Sequence, residues 1–136
     1  MQLIEHPPSV VLVVFEGEEL VLVRQSRPGS QSRTLELPSG KLEEGETPLD
    51  AAARELAEEC ALAARELREL GTFWTTPAYS TELVHVFEAS GLFAADPAEA
   101  DEDEDIEVER LPVGRVLTEL DDAVSIAALA LWLEWR

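Results

Sequence analysis

Two runs near the start of the chain constrain its fold most: SVVLVVFE at residues 9–16 and LVLVR at residues 20–24. Branched and aliphatic residues dominate both, which favours pleated strands over helix. Glu16-Gly17-Glu18-Glu19 between them reads as a turn, so the pair predicts a hairpin. A polar loop is expected to open at Arg24 and run to Ser30, followed by a short strand at residues 33–37 that Pro38-Ser39-Gly40 breaks.

A helix is expected from Thr47. Threonine is a good N-cap, Pro48 suits the first helical position, and Asp50 falls where the helix dipole favours an anion. Leu49, Ala52, Ala53, Leu56 and Cys60 recur at spacings of three and four and predict its apolar face. Further strands are expected at residues 67–75, ended by Pro77, at 82–89 and at 106–111. Residues 96–105 form an acidic loop. A short helix follows Pro112, and Asp121 or Asp122 caps a last helix whose Ala123, Ile126, Ala127, Ala130, Leu131 and Trp135 are expected to face inward. Strands mixed with two or three helices predict an α+β fold, an α/β/α sandwich in one domain spanning residues 1–136.

Composition narrows the setting. The chain has 136 residues, 46% of them apolar, enough for one core. The apolar run at residues 10–15 is far too short to cross a bilayer, and the segment before it holds no Lys or Arg, so neither a membrane span nor a secretion signal is read. A single cysteine, Cys60, excludes a disulfide framework. A cytoplasmic location is the expectation. With 29 acidic against 10 basic residues and a formal charge of −19, the surface repels nucleic acid phosphates.

Part of that negative charge is concentrated. Arg54-Glu55-Leu56-Ala57-Glu58-Glu59 places three carboxylates on about one and a half helical turns. Glu55 and Glu59 lie one turn apart on one face, with Glu58 to the side. Such a face is either ordinary solvated surface, with Arg54 and Glu58 an i,i+4 pair, or a site for a hard divalent cation. Mg²⁺ fits better than Ca²⁺, because alternating loop ligands are missing. The Ser39–Gly40 loop can bring a backbone carbonyl near, since glycine tolerates unusual backbone angles.

The spacing around this helix resembles the Nudix box, G-x5-E-x7-R-E-U-x-E-E-x-G-U with U aliphatic. Gly40, Glu46, Arg54, Glu55, Leu56, Glu58, Glu59 and Leu62 match; Ala61 stands where the family has glycine. A left-handed exit there costs alanine about 1 kcal/mol, unless the helix runs on. The resemblance implies a Nudix α/β/α sandwich with a mixed sheet over roughly residues 9–133. It also implies hydrolysis of a nucleoside diphosphate linked to another moiety. Glu55, Glu58 and Glu59 would be catalytic metal ligands for Mg²⁺, with Mn²⁺ able to substitute, and the Ser39 or Gly40 carbonyl would lie nearby. Glu46 and Arg54 would brace the box through an ion pair.

Four features are similar to the ADP-ribose and nucleoside-diphosphate-sugar pyrophosphatase branch: Gln25-x-Arg27 before Glu36-Leu37-Pro38, Pro77, the run Ser80-Thr81-Glu82, and the late acidic segment Glu102-Asp103-Glu104. The resemblance implies substrate contacts from Arg27, Glu36, Pro77 and Tyr79. Arg27 offers a planar fork to phosphate or pairs with a carboxylate. Glu36 accepts from an adenine amino group or faces solvent. Glu82, or one of Glu102 and Glu104, binds metal or orients the attacking water. Phe73 is expected in the core, Trp74 and Tyr79 against a base or ribose, and His85 packed on its strand. That branch often carries an extra N-terminal segment; only about nine residues precede the first run here, so a more open pocket, or one completed by a partner chain, is expected. Trp132 and Trp135 are candidates for contact with a second copy in a homodimer. The other readings are a Nudix hydrolase of nucleoside triphosphates or dinucleoside polyphosphates, and a module that senses a nucleotide without cleaving it.

Overall fold

The computed structural model describes residues 2–100 and 105–136. Its elements are β1 (Ser9–Glu16), β2 (Glu19–Arg27), β3 (Ser32–Glu36), β4 (Ser39–Lys41), α1 (Pro48–Cys60), β5 (Leu62–Trp74), β6 (Leu83–Ala94), a 3-10 turn at Pro97–Glu99, β7 (Glu107–Pro112), α2 (Val113–Glu119) and α3 (Ala123–Trp135). The sheet is mixed: β1 runs parallel to β6, and the other pairs are antiparallel.

The two β-branched runs sit at the centre of the sheet, and their side chains alternate between two apolar layers. Val10, Leu12, Val14, Val21 and Val23 meet Ala52, Leu56 and Cys60 of α1. Val11, Val13, Leu20 and Leu22 meet Val116 of α2 and Leu129 and Trp132 of α3. The result is an α/β/α sandwich. Among the described residues no helix is long and apolar enough to cross a membrane.

The β1–β2 hairpin opens the functional cleft. Pairing between the two strands lasts only from Val14↔Val21 to the turn. Beyond that point β4 takes over the edge of β1 at residues 9–11, and β3 takes over the edge of β2 at residues 23–27. The strands therefore part, and the short link between β3 and β4 crosses the gap, with the Pro38 carbonyl accepting from the Leu12 N–H at 2.9 Å.

Several boundaries differ from expectation. β2 continues to Arg27 because β3 pairs with it as far as Arg27↔Ser32, so the polar loop starts later. β4 is a short strand where a break is expected. β5 starts directly after α1, and β6 reaches Ala94; a register shift between Glu69 and Gly71 leaves Leu70 in the core. In α1, Leu49 and Ala53 are exposed, while Ala51 and Ala57 are buried instead.

α3 is turned relative to expectation. Ser125, Ala128, Leu129 and Trp132 face inward, whereas Ala123, Ile126, Ala127, Ala130 and Trp135 are exposed and Leu131 is half-buried. A helix apolar on nearly every side carries no periodic signal. Polar anchors set its rotation: the Leu37 N–H donates to Ser125 Oγ at 2.9 Å, and Trp132 Nε1–H donates to Glu88 at 2.8 Å. Trp132 is thereby a core residue, which removes it as a surface for a second copy.

Candidate active site

Where β1 and β2 part, α1 crosses above the gap, and the N-terminus of α3 closes it from the other face. The cleft between them has a volume of about 580 Å³. One bank carries Arg54, Glu55 and Glu59. The other carries His6, Ser9, Glu82, Asp122 and Val124, while Gln25, Arg27 and Glu36 lie across β2 and β3.

The first bank is built locally. Thr47 caps α1, its hydroxyl accepting from the Asp50 N–H at 3.1 Å, with Pro48 in the first turn. This fixes the phase that aims Glu55 and Glu59 at β4. Glu55 lies flat against Gly40: a Cβ at that position would overlap its carboxyl carbon and both its oxygens. Only glycine admits this approach. Glu59 Oε1 accepts from the Ser39 N–H at 2.9 Å, so β4 positions both carboxylates.

Burial sets their electrostatics. It pushes the Glu59 carboxyl up to about 8, against the Ser39 hydrogen bond and with help from neighbouring Glu55. It also raises Glu55, only 9% exposed, despite Arg54. Glu55 Oε2 and Glu59 Oε2 accept no hydrogen bond among the described residues.

Arg54 ties the box together. It grips Glu46 through Nε at 2.8 Å and Nη2 at 2.9 Å, and Nη2 also donates to the Lys41 carbonyl at 2.9 Å. Nη1 donates to Glu55 at 2.7 Å and Glu58 at 3.2 Å. The two-pronged Arg54 contact holds Glu46 far below the usual carboxylate range, down to about 2. The Glu46 contact in turn raises the Arg54 pKa further. The expected Glu46–Arg54 brace is thus present. Glu58, half-exposed, is not part of the cleft lining and borders a separate hollow with Ala98 and Glu99.

Arg27 and Glu36 face each other across β2 and β3. Arg27 donates to both oxygens of buried Glu36 at 2.8 and 2.9 Å, and Thr34 Oγ1 adds a third hydrogen bond at 2.5 Å. Burial works to raise Glu36, but these bonds outweigh it and hold the carboxyl below its ordinary range. Glu36 is therefore neither solvent-facing nor a free acceptor, and Arg27 enters the cleft already oriented by it.

On the far bank, Glu82 accepts from Ser9 Oγ at 2.6 Å and Thr75 Oγ1 at 3.3 Å. Asp122 caps α3 through the Ser125 N–H at 3.3 Å, and its other oxygen is buried without a partner among the described residues. Asp121 clamps this end of α3 onto β3 by accepting from the Leu35 N–H at 2.7 Å, while its own N–H donates to the Leu35 carbonyl at 3.0 Å.

Pro77 and Tyr79 lie in the turn between β5 and β6, outside the cleft lining; the Tyr79 carbonyl accepts from Ile4 at 2.7 Å. Glu102 and Glu104 lie outside the described residues. His85 contacts Glu69 at 2.7 Å on the sheet. His6, Ser9 and Asp122 belong to the cleft although no sequence motif marks them, and Gln25, part of the Gln25-x-Arg27 run, lines it too. The one signal available for Asp122 is its position as a helix cap.

The donor set suits a hard cation: two carboxylates largely withdrawn from solvent, each with an oxygen that accepts no hydrogen bond among the described residues. Among the described residues no three His, Cys, Asp or Glu side chains form a ready-made cage.

Comparison with known proteins gives a family. The model of the NUDIX domain matches residues 5–132. An ADP-ribose pyrophosphatase of Bacillus subtilis is 39% identical over 109 residues, covering 79% of this chain and 59% of that protein. The ADP compounds hydrolase NudE of Escherichia coli is 30% identical over 132 residues, covering 93% of this chain and 70% of NudE. A crystal structure of an ADP compounds hydrolase superposes with a TM-score of 0.85 at 28% identity, covering 94% of this chain and 71% of the other. The chain thus spans about three fifths of the length of the Bacillus relative.

Proposed function

Because the chain belongs to the Nudix hydrolase family, we propose that residues 1–136 act as a single Mg²⁺-dependent catalytic domain that cleaves the diphosphate of ADP-ribose or a related ADP-sugar. The observation that carries this reading is the meeting of Glu55 and Glu59 with the backbone of β4, at a cleft that also holds Arg27. The names of the relatives support the substrate class.

Glu55 and Glu59, with a carbonyl of Ser39 or Gly40, would hold the cation. When bound, such an ion neutralises the diphosphate and makes a bound water a stronger nucleophile. Arg27, held by Glu36, presents its remaining N–H groups to a phosphate oxygen. Arg54 keeps Glu55 in place while itself anchored to Glu46. Glu82, fixed by Ser9 and Thr75, is a candidate for orienting the attacking water across the cleft. Water adds to one phosphorus, the P–O bond to the bridging oxygen breaks, and ADP-ribose gives AMP and ribose 5-phosphate.

A panel of ADP-ribose, ADP-glucose, FAD, NADH, dinucleoside polyphosphates and nucleoside triphosphates, each with Mg²⁺ or Mn²⁺, tests this. The highest kcat/KM is expected for ADP-ribose or an ADP-sugar. A clear preference for triphosphates or dinucleoside polyphosphates would overturn the substrate assignment, and tight binding without turnover would favour a sensing role.

A further inference from the structure

The bank facing the box contains a histidine that the reading above leaves without a task. The segment before β1 is tied to the β5–β6 turn. The Ile4 N–H donates to the Tyr79 carbonyl at 2.7 Å, and the Thr81 N–H donates to the Ile4 carbonyl at 3.0 Å. His6 continues the attachment: its N–H donates to Thr81 Oγ1 at 2.8 Å, and that hydroxyl donates to the His6 carbonyl at 3.1 Å. Pro7 and Pro8 then stiffen the chain, and the Pro8 carbonyl accepts from the Leu42 N–H at 2.8 Å. The His6 backbone is therefore fixed on both sides, and its half-buried ring lines the cleft.

The ring's hydrogen-bond roles follow from its partner. Nδ1 lies 2.7 Å from the Pro7 carbonyl oxygen, which can only accept, so Nδ1 carries the hydrogen. Glu82 lies beyond, at 3.7 Å from the same nitrogen. Nε2 has no partner among the described residues, and in the tautomer that carries its single hydrogen on Nδ1 it is a lone-pair acceptor. An ionised phosphate oxygen accepts and cannot donate to it. A hydroxyl can.

We propose that His6 is a specificity-determining residue whose Nε2 accepts a hydrogen bond from a hydroxyl of the sugar carried by the substrate. This rests on the nucleoside-diphosphate-sugar reading. It gives the N-terminal segment a function: anchoring an acceptor in the cleft that the carboxylates of α1 also line.

The chain holds two histidines, so their ring Cε1–H resonances can be followed separately by NMR in the metal-free protein. Ribose 5-phosphate is expected to move the His6 resonance and not that of His85, while inorganic phosphate leaves His6 in place. Equal movement by inorganic phosphate, or no movement by ribose 5-phosphate, overturns the assignment. Kinetics supply the second arm, with ADP-ribose compared against the β-methyl ester of ADP, which lacks the sugar. His6→Asn, whose amide mimics Nδ1, should lower kcat/KM for ADP-ribose about tenfold, mainly through KM. That loss should be at least about fivefold larger than the loss on the methyl ester. His6→Gln, whose amide reaches the position of Nε2, should restore most of it. Equal losses on both substrates would reduce His6 to a structural role. Failure of wild-type protein to cleave any nucleoside diphosphate sugar would instead sink the functional reading, with the NMR arm still deciding His6.

Discussion

The two banks of the cleft are built in opposite ways. On one, Gly40, Glu46, Arg54, Glu55 and Glu59 come from a single short stretch, joined by a dense set of hydrogen bonds centred on Arg54. On the other, His6 and Ser9, Glu82, and Asp122 come from three separate segments, brought together by the parallel β1–β6 pairing, the N-terminal tether and the docking of α3 on β3. A bank written as spacing along one helix is rigid and can be read in sequence. Of a bank written as topology, only Glu82 shows in the sequence, through a resemblance; His6, Ser9 and Asp122 wait for the sheet to be assembled. The chemistry of ion binding is expected to reside on the first, and substrate discrimination on the second.

The largest expected effect separates them directly. Glu59→Gln keeps the shape and the Ser39 contact but removes the charge; kcat should fall at least a hundredfold, on the order of several kcal/mol of transition-state stabilisation. Circular dichroism should stay native. Glu82→Gln should cost only about tenfold, because both its oxygens are already engaged by Ser9 and Thr75. Equal losses at the two sites would erase the proposed division of labour.

Gly40→Ala strikes the point where the first bank meets β4. The new Cβ would overlap the Glu55 carboxyl, which must swing out against the hold of Arg54. A loss of stability of about 1–3 kcal/mol is expected from overpacking. It should be accompanied by a marked drop in Mg²⁺ affinity by titration calorimetry. Unchanged metal binding would show that the glycine serves the turn and not the carboxylate.

How much of this could be read beforehand follows the same division. The box helix and its Thr47 cap are legible because capping is local, and the Glu46–Arg54 pair, eight residues apart, is legible only through the resemblance to the box. The hairpin is legible because β-branched runs favour strands, but its splay is not: where β3 and β4 take over from the hairpin pairing is a matter of non-local register. The inner face of α3 is misread because apolar residues surround the helix, and hydrogen bonds from Ser125 and Trp132 decide its rotation. Glu36, read as an acceptor for an adenine amino group or as solvent-facing, pairs with Arg27 across strands whose register the sequence does not display. His6 is missed because nothing local distinguishes it; its position depends on a tether to residues 79–81.

The brace has its own pH signature. Arg54, aided by the Glu43 N–H, holds the Glu46 carboxyl down to about 2, from an ordinary value of 4.5. A carboxylate lowered on folding stabilises the native state above its unfolded pKa, and that contribution is lost as pH falls through the folded value. Glu46→Gln should therefore melt about 5 °C below wild type near neutral pH. The gap should narrow as pH falls from about 4.5 towards 2. A gap independent of pH would mean that the pair contributes shape and not charge.

The smallest effect concerns the exit of the box helix. Ala61 ends α1 with φ 57° and ψ 33°, its N–H donating back to the Ala57 carbonyl at 3.0 Å, so the helix stops in the left-handed conformation and does not run on. A Cβ is strained there, by roughly 1 kcal/mol. The position is exposed, so glycine forfeits no packing. Ala61→Gly also loosens the unfolded chain, which offsets part of the gain. The net expectation is a rise in Tm of up to about 3 °C, with kcat/KM unchanged because the exit lies beyond Glu59 and makes no contact with the cleft lining. A fall in Tm would mean that unfolded-state entropy outweighs the strain. A change in rate would extend the working part of the first bank past the last carboxylate, to the turn that launches β5.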